Sequence, residues 1–267
     1  MFNWNKTYMV CLLSFVLLFV QMIFVINILW NKEERPVYCL MVTGYNKERL
    51  SMARKSIQNF KQQTYKNKNL IILNQSKERL IKKESKDTTV LEVLVDKEDK
   101  TLGELRNMSL QFVPPNAIWT TWDDDDYRSS NYIKKMVHIM NKNKAEFLMF
   151  QNRIEYNKTN NFSFKMTMKS GFMTFFSVHN PFLEYEHVST SEDVKVKNYA
   201  LKHMKTYIYD NDPKMYIRLI HDDNTSIYVH NKKNSVKNTK SNKVYFENEL
   251  NKMEKEYLDN IISKYYK

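Results

Sequence analysis

Short apolar runs alternate with helical patterns along the chain from residue 37 onward. The first run covers residues 37–43 and is almost continuously apolar, which is typical of a strand buried on both faces of a sheet. Apolar side chains then recur every three or four positions from Leu50 to Phe60, and this period predicts a helix. The first two elements beyond residue 36 are therefore a strand and a helix.

The same alternation continues to residue 150. Further strands are predicted over residues 70–73, 90–95, 117–122 and 147–150, and further helices over 102–112 and 133–140. Strands that alternate with helices imply parallel βαβ units, with helices on both faces of one sheet. In such a sheet, ligands bind beyond the carboxyl ends of the strands. The predicted fold class is therefore α/β, and its ligand site is expected at that edge.

The amino-terminal segment has a different pattern. No residue from Thr7 to Asn31 is charged, and the run is rich in Leu, Val, Phe and Ile. A helix of this length spans the ~30 Å hydrocarbon layer of a bilayer, so one transmembrane helix is predicted over residues 7–31. A cleaved signal peptide is the alternative, but its apolar core is shorter and ends at small residues, whereas this run ends in Trp30, Asn31 and Lys32.

The charges that flank this segment do not decide its orientation, because Lys6 precedes it while Lys32 and Arg35 follow it. The simplest arrangement leaves residues 1–6 as a cytosolic stub and places the large domain in a lumen of the ER or Golgi type. Many Lys, Asn and Ile residues and few Gly are typical of AT-rich coding, as in a parasite or a large DNA virus. For a viral protein, the membrane would be that of the host.

The carboxyl-terminal third is less regular. Residues 230–243 form a polar stretch with nothing to bury, which predicts a linker after a domain over residues 32–229. Beyond it, apolar side chains recur every three or four positions from Phe246 to Ile261, so one amphipathic helix is predicted over residues 244–267. This helix is expected to pack back on the domain, with a basic helix on a membrane surface as the alternative.

Composition excludes several classes of protein. The 267 residues are 42% hydrophobic and include 2 Cys, which excludes a disordered chain and a disulfide scaffold. The net charge of +12 comes from 42 Lys and Arg against 30 Asp and Glu, and it is spread along the chain. No groove-reading or base-stacking motif accompanies this charge, so a nucleic-acid partner is not expected.

Four consecutive carboxylates, Asp123 to Asp126, directly follow the strand predicted over residues 117–122. Solvent in a surface turn or a hard divalent cation could offset their mutual repulsion. A calcium helix-loop-helix site is excluded, because that loop needs Gly at its sixth position and Glu at its twelfth, where this chain has Arg128 and Lys134. Mg²⁺ or Mn²⁺ held by one or two carboxylates and by substrate phosphates fits better, and such an ion stabilises a departing phosphate.

Four motifs, taken in order, resemble the family-2 glycosyltransferases with the GT-A fold. They are VTGYN at 42–46, LGELRN at 102–107, WDDDDY at 122–127 and SED at 191–193. The resemblance covers roughly residues 36–227 and implies a mixed, mainly parallel, Rossmann-like sheet. It also implies a glycosyltransferase that moves a sugar from a nucleotide-sugar donor to a glycan, protein or lipid acceptor.

The resemblance implies roles for individual residues. Asp193, with Glu192 beside it, would be the general base that deprotonates the acceptor hydroxyl in an inverting single displacement. The nucleotide sugar would be bound by Thr43, Gly44, Tyr45, Asn46, Asn74, Arg106, Asn107, Asp123 and Asp124. The metal ion, Mn²⁺ or Mg²⁺, would be held by Asp125, Asp123, Asp126 and His221.

The chain departs from the family at the end of the second predicted strand. Where the family has two Asp before Gly-Ser, this chain reads Asn74, Gln75 and Ser76, so an amide replaces the carboxylate expected on the base or ribose. This change favours, as an alternative, a non-catalytic membrane-tethered binding protein of the same fold. A nucleotidyltransferase is a second alternative, although Gly44 is the only glycine before residue 100 and a Gly-rich phosphate loop would be expected there.

Overall fold

The structure, a computed structural model, describes residues 21, 35–82, 87–96, 100–221, 224 and 245–266. The chain divides into two units, Met1–Arg35 and Pro36–Lys267, and all elements given below belong to the second. The predicted stub, the predicted transmembrane segment apart from Gln21, and the predicted linker over 230–243 lie outside the described residues. Among the residues described, no helix has the length and apolar character needed to span a membrane.

Twelve strands and five α-helices are described in this unit. The strands are β1 Val37–Thr43, β2 Lys68–Asn74, β3 Val90–Leu94, β4 Ile118–Thr121, β5 Tyr127–Arg128, β6 Phe147–Phe150, β7 Asn152–Asn157, β8 Phe162–Met168, β9 Phe175–Val178, β10 Thr206–Tyr209, β11 Tyr216–Ile220 and β12 Tyr245–Asn248. The helices are α1 Lys47–Lys61, α2 Leu102–Leu110, α3 Tyr132–Asn143, α4 Asp193–His203 and α5 Lys252–Ile261. Every strand and helix predicted between residues 37 and 150 is confirmed, with small changes at the ends.

The larger sheet has the strand order β10-β6-β9-β4-β1-β2-β3 in the described part of the chain. Its neighbours are parallel except at β9, which runs antiparallel to both β4 and β6. The sheet is therefore mixed and mainly parallel, as expected. Helices cover both of its faces. On β1, Cys39 and Met41 pack in the core that includes α1 and α3, whereas Leu40 packs in the core that includes α2 and α4.

A smaller sheet, with the order β12-β8-β7-β11-β5, was not predicted from the sequence. Its strand β12 corrects the prediction of one helix over residues 244–267, because residues 245–248 pair antiparallel with β8 before α5 begins at Lys252. Asn251 caps α5, and this cap separates the helix from the strand. Leu258 and Ile261 of α5 pack with Ile217 of β11, so the helix packs back on the domain.

Candidate functional site

The acidic run 123–126 connects the two sheets. It leaves the larger sheet at the end of β4 and enters the smaller sheet at β5, which pairs with β11. Because β4, β1 and β2 are parallel neighbours, their carboxyl ends lie at one edge. Thr43 at the end of β1 and Asn74 at the end of β2 therefore lie at the same sheet edge as the acidic run, where open α/β sheets bind ligands.

Arg106 joins the acidic run to the motif at residues 191–193. Its Nη2 lies 3.1 Å from Asp123 Oδ1, and its Nη1 donates a hydrogen bond to Glu192 Oε1. The guanidinium also lies 5.4 Å from the centre of the Tyr185 ring. One partly buried cation on α2 thus brings together carboxylates that are 17 and 86 residues away in the sequence.

Asp193 is the first residue of α4 and follows Glu192 directly. Burial, with the negative charge of Glu192 as the next contribution, raises the pKa of Asp193 to about 6. Arg106 acts in the opposite direction and favours the charged form of Asp193. A carboxylate with a pKa close to neutrality can take up a proton in one step and release it in the next, as a general base requires.

Gly103 allows α2 to come close enough for this arrangement. A Cβ at this position would lie 1.7 Å from the carbonyl oxygen of Glu186, so a larger residue would push the helix away from the segment before α4. The Gly103 amide donates to the carbonyl oxygen of Val188 at 3.0 Å. Asn107 strengthens the same contact, because its side chain donates to Tyr185 O at 3.0 Å and accepts from Tyr185 N at 2.8 Å. The structure therefore gives Asn107 a structural contact.

Asp124 is buried, with only 1% of its side chain exposed, and both of its carboxylate oxygens have partners. Thr43 Oγ1 donates to Oδ2 at 2.8 Å, and Arg49 Nη2 lies 3.0 Å from Oδ1. Burial and the charge of Asp125 raise the pKa of Asp124. Thr43 and Asp124 were predicted to bind the nucleotide sugar, and the structure places them in contact with each other, tying β1 to the acidic run.

One carboxylate oxygen of Asp125 has contacts with three side chains. Its Oδ2 lies 2.9 Å from Arg49 Nη1, 3.1 Å from His221 Nε2 and 3.1 Å from Asn224 Nδ2. Burial would raise the pKa of Asp125, but the hydrogen bond with His221 and the charge of Arg49 outweigh it, and the pKa lies below its ordinary value. Two residues predicted as metal ligands, Asp125 and His221, are therefore brought together.

Asp126 faces the smaller sheet. Its Oδ2 accepts a hydrogen bond from the Tyr216 hydroxyl, and its Oδ1 accepts from the Leu219 amide at 2.9 Å. Burial, followed by the charge of Asp125, raises its pKa. These contacts make Asp126 the link between the acidic run and β11, and both of its oxygens are already hydrogen-bonded.

Protein donors face most of the carboxylate oxygens that a metal ion would need. Among the residues described, no group of three or more His, Cys, Asp or Glu side chains is arranged to hold one. Asp124 and Asp126 use both of their oxygens for protein donors, and Arg49 lies between Asp124 and Asp125. Asp123 faces Arg106 at 3.1 Å and Arg128 at 3.5 Å. An Mn²⁺ or Mg²⁺ ion bound at Oδ1 of Asp124 or Oδ2 of Asp125 would compete with Arg49 for these oxygens.

The remaining residues predicted to bind the nucleotide lie close by. The Asn46 side chain caps α1 by accepting from the Arg49 amide at 2.7 Å. Tyr45 is exposed, and a Cβ added to Gly44 would meet only the stem of Arg49, at 3.7 Å. Asn74 is fully buried. Its amide nitrogen donates to Glu92 Oε1 of β3 at 2.7 Å, and its Oδ1 accepts from the Ser76 amide at 2.8 Å, so Asn74 ties the loop after β2 to β3.

A cavity of about 330 Å³ adjoins the acidic run on the side of α1. Its lining includes Lys47, Lys55, Asp125 and Lys158. The volume lies at the lower end of the range for small-molecule sites. Part of the acidic run is therefore open to a ligand from this side.

Sequence reasoning missed Arg49 and Arg128. Arg128 is fully buried over the Trp122 ring, with 4.3 Å between the guanidinium carbon and the ring centre. Arg49 lies in the first turn of α1, where the helix dipole disfavours a positive charge. A cation at that position, so close to the end of β1, was a signal that favoured a carboxylate partner nearby, although Lys47 in the same turn is exposed.

The family comparison agrees with this geometry. The family model described as Glycosyl transferase family 2 matches residues 39–204, a range that contains most of β1 and all of α2, the acidic run and Asp193. The chain belongs to glycosyltransferase family 2. No curated protein sequence matches this family-2 chain.

Solved structures of S. aureus TarS 1-349 are similar in fold. The complex with UDP-GlcNAc gives a TM-score of 0.57 at 10% identity, over 73% of this chain and 62% of that one. The complex with UDP gives 0.55 at 10% identity, over 69% and 60%. This family-2 chain thus spans about three fifths of the TarS fragment. At this identity the likeness shows the fold alone, a mixed α/β fold with a mainly parallel sheet of the GT-A type.

Proposed function

We propose that this protein transfers a sugar from a nucleotide-sugar donor to an acceptor hydroxyl, with inversion at the anomeric carbon. The observation that carries the proposal is the bridge made by Arg106 between Asp123 and Glu192. It holds the acidic run, at the predicted donor edge of the sheet, next to Asp193. A base and a cation are thereby available at one place, as a displacement of nucleoside diphosphate requires.

In the proposed reaction, the Asp193 carboxylate accepts the proton of the acceptor hydroxyl. The acceptor oxygen forms a bond to the anomeric carbon while the bond from that carbon to the phosphate oxygen breaks. The nucleoside diphosphate leaves with the electron pair of that bond. Arg106, which is already positioned by Asp123 and Glu192, would favour the negative charge that develops on the departing diphosphate.

A uridine diphosphate sugar is the first donor to test. TarS was solved with UDP and with UDP-GlcNAc, and this chain shares its fold. The proposed acceptor is a hydroxyl group on a glycan, a protein or a lipid. A lumenal domain anchored by residues 7–31 stays a prediction from the sequence. A divalent cofactor was also predicted from the sequence, and the contacts of Arg49 with Asp124 and Asp125 argue against it.

The test is release of nucleoside diphosphate by the full-length chain from a panel of nucleotide sugars, with and without candidate acceptors. We expect release from one donor and its loss in Asp193→Asn. The matched control is Asp259→Asn, which makes the same chemical change on an exposed face of α5. Retained release in the control, with loss in Asp193→Asn, supports the proposed base.

The products separate the alternatives. Pyrophosphate release with nucleotide transfer would indicate a nucleotidyltransferase. Binding of a nucleotide sugar without transfer, for every acceptor tried, would indicate a non-catalytic binding protein. Either result would contradict the proposal.

A further inference from the structure

Arg49 contacts two consecutive carboxylates of the acidic run, Asp124 and Asp125. Its two terminal nitrogens lie 3.0 Å from Asp124 Oδ1 and 2.9 Å from Asp125 Oδ2. The guanidinium thus bridges two consecutive carboxylates, as a divalent ion held by the same residues would. Arg49 is 17% exposed, so ligands at this edge of the sheet can still reach it.

The neighbouring side chains hold Arg49 and its partners in place. Asn46 caps the first turn of α1 through the Arg49 amide, which fixes the backbone from which the side chain extends. Thr43 fixes Asp124, and His221 and Asn224 fix Asp125 on the oxygen that faces Arg49. The bridge is therefore held from β1, from α1 and from the residues just after β11.

The stem of Arg49 also lies under the loop that would carry the nucleotide. The nearest atom to a Cβ placed on Gly44 is Arg49 Cγ, at 3.7 Å. Diphosphate bound at this loop would lie close to a permanent positive charge, because a guanidinium does not lose its proton in proteins. Arg49 can therefore supply charge at the place where a metal ion would supply it.

A divalent cation would have to compete with this arrangement. Mg²⁺ and Mn²⁺ need carboxylate oxygens that are free to coordinate. Here the oxygens of Asp124 face Thr43 and Arg49, and Oδ2 of Asp125 faces Arg49. Binding of the ion would leave the guanidinium beside a second positive charge without its partners, which is unfavourable at such short range.

We propose that Arg49 takes the place of a divalent cation in this site, so that nucleotide binding and sugar transfer do not require Mn²⁺ or Mg²⁺. The part concerning transfer rests on the proposed function. The part concerning the ion does not, because it can be measured without any turnover.

The first experiment measures binding of Mn²⁺ alone to the full-length chain, by the loss of the free-ion signal in electron paramagnetic resonance. We expect no saturable site in the natural chain. In Arg49→Ala, one saturable site is expected, at least about tenfold tighter than any residual Mn²⁺ binding by the natural chain. The reason is that the carboxylates are no longer paired with a fixed cation. That site should disappear again in Arg49→Ala with Asp125→Asn. Circular dichroism verifies the fold of each variant.

Arg49→Lys keeps the proposal testable if Arg49→Ala does not fold. An ammonium is a single point charge and cannot bridge both carboxylates as a guanidinium does, so intermediate Mn²⁺ affinity is expected. A saturable Mn²⁺ site in the natural chain that Asp125→Asn abolishes would overturn the proposal. Absence of a site in every folded variant would overturn it as well.

The second experiment compares UDP binding by calorimetry with Mn²⁺ and with a chelator. We expect affinities within about twofold of each other for the natural chain, and at least about tenfold weaker binding in chelated Arg49→Ala. Tighter UDP binding that depends on Mn²⁺ would overturn the proposal. If no donor is turned over in any condition, the proposed function fails, whereas the Mn²⁺ result on Arg49 stands by itself.

Discussion

Within the acidic run, Asp123 is partly exposed, whereas Asp124 and Asp126 have the same side chain and are buried. Asp123 is 32% exposed and faces Arg106 at 3.1 Å, next to the Glu192 and Asp193 pair. Asp124 and Asp126 are buried, and their oxygens accept from side chains and backbone of other elements. We call Asp123 the outer carboxylate, and Asp124 and Asp126 the inner carboxylates.

The difference shows that an acidic run is not one functional unit. Inner carboxylates fix β1 and β11 to the loop, and their loss leaves buried donors without acceptors, so they act on stability. The outer carboxylate lies beside the proposed base and is 32% exposed, so we expect it to act on substrate. The predictions below would break or sharpen this separation, in order of decreasing effect.

The largest effect is expected from Asp193→Asn, which changes the proposed base beside the outer carboxylate. Loss of the proposed base should lower the transfer rate by about 10²- to 10⁴-fold, because an amide cannot accept the acceptor's proton. The urea midpoint of unfolding should change little. Steady-state rates and urea titrations of the same preparations measure both quantities. A rate within tenfold of the natural protein would assign the base to another residue.

On the inner side, Asp126→Ala is expected to lower the free energy of unfolding by about 2 to 4 kcal/mol. The change leaves the Tyr216 hydroxyl and the Leu219 amide without their acceptor in a buried place. Asp123→Ala, the matched change on the outer side, should cost less than Asp126→Ala, since Asp123 is 32% exposed, although one of its two cationic partners, Arg128, is fully buried. Equal losses in the two variants would contradict the separation.

Asn74 extends the comparison to another buried polar residue with a structural contact. Asn74→Asp would restore the carboxylate typical of the family, yet place it against Glu92, whose side chain is 3% exposed and lies 2.7 Å from the Asn74 amide. We expect a loss of about 1 to 3 kcal/mol in the free energy of unfolding. Adding Glu92→Gln should recover most of it in thermal or urea unfolding. No recovery would mean that the two side chains do not oppose each other.

The smallest effect concerns pH. Asp193 must be ionised to act as a base, and burial raises its pKa to about 6, so the transfer rate should fall as the pH drops through that value. Glu192→Gln removes a nearby negative charge that raises this pKa, and should therefore move the acid limb to lower pH. Rates across pH 5 to 8, about the range where this carboxyl titrates, measure the shift. A shift to higher pH would show that loss of the Arg106 contact dominates.

Much of the fold follows from local patterns. Apolar runs and helical spacing located β1 to β4, β6 and the helices between residues 47 and 143. The smaller sheet was missed because its strands pair across distant segments, as β7 with β11 and β8 with β12. The prediction of a helix over residues 244–267 was wrong at its beginning for the same reason. Pairing with β8 makes residues 245–248 a strand, and the local pattern does not show this pairing.

The candidate site divides in the same way. The sequence by itself determined the order of the motifs, the position of the acidic run after a buried strand, and the adjacency of Glu192 and Asp193. Only the tertiary structure decided which carboxylate meets which cation: Arg106 faces Asp123 and Glu192, whereas Arg49 bridges Asp124 and Asp125. The physical reason is that spacing along a chain predicts which face a residue takes. Burial, partner and charge balance depend on segments that meet only when the sheets form.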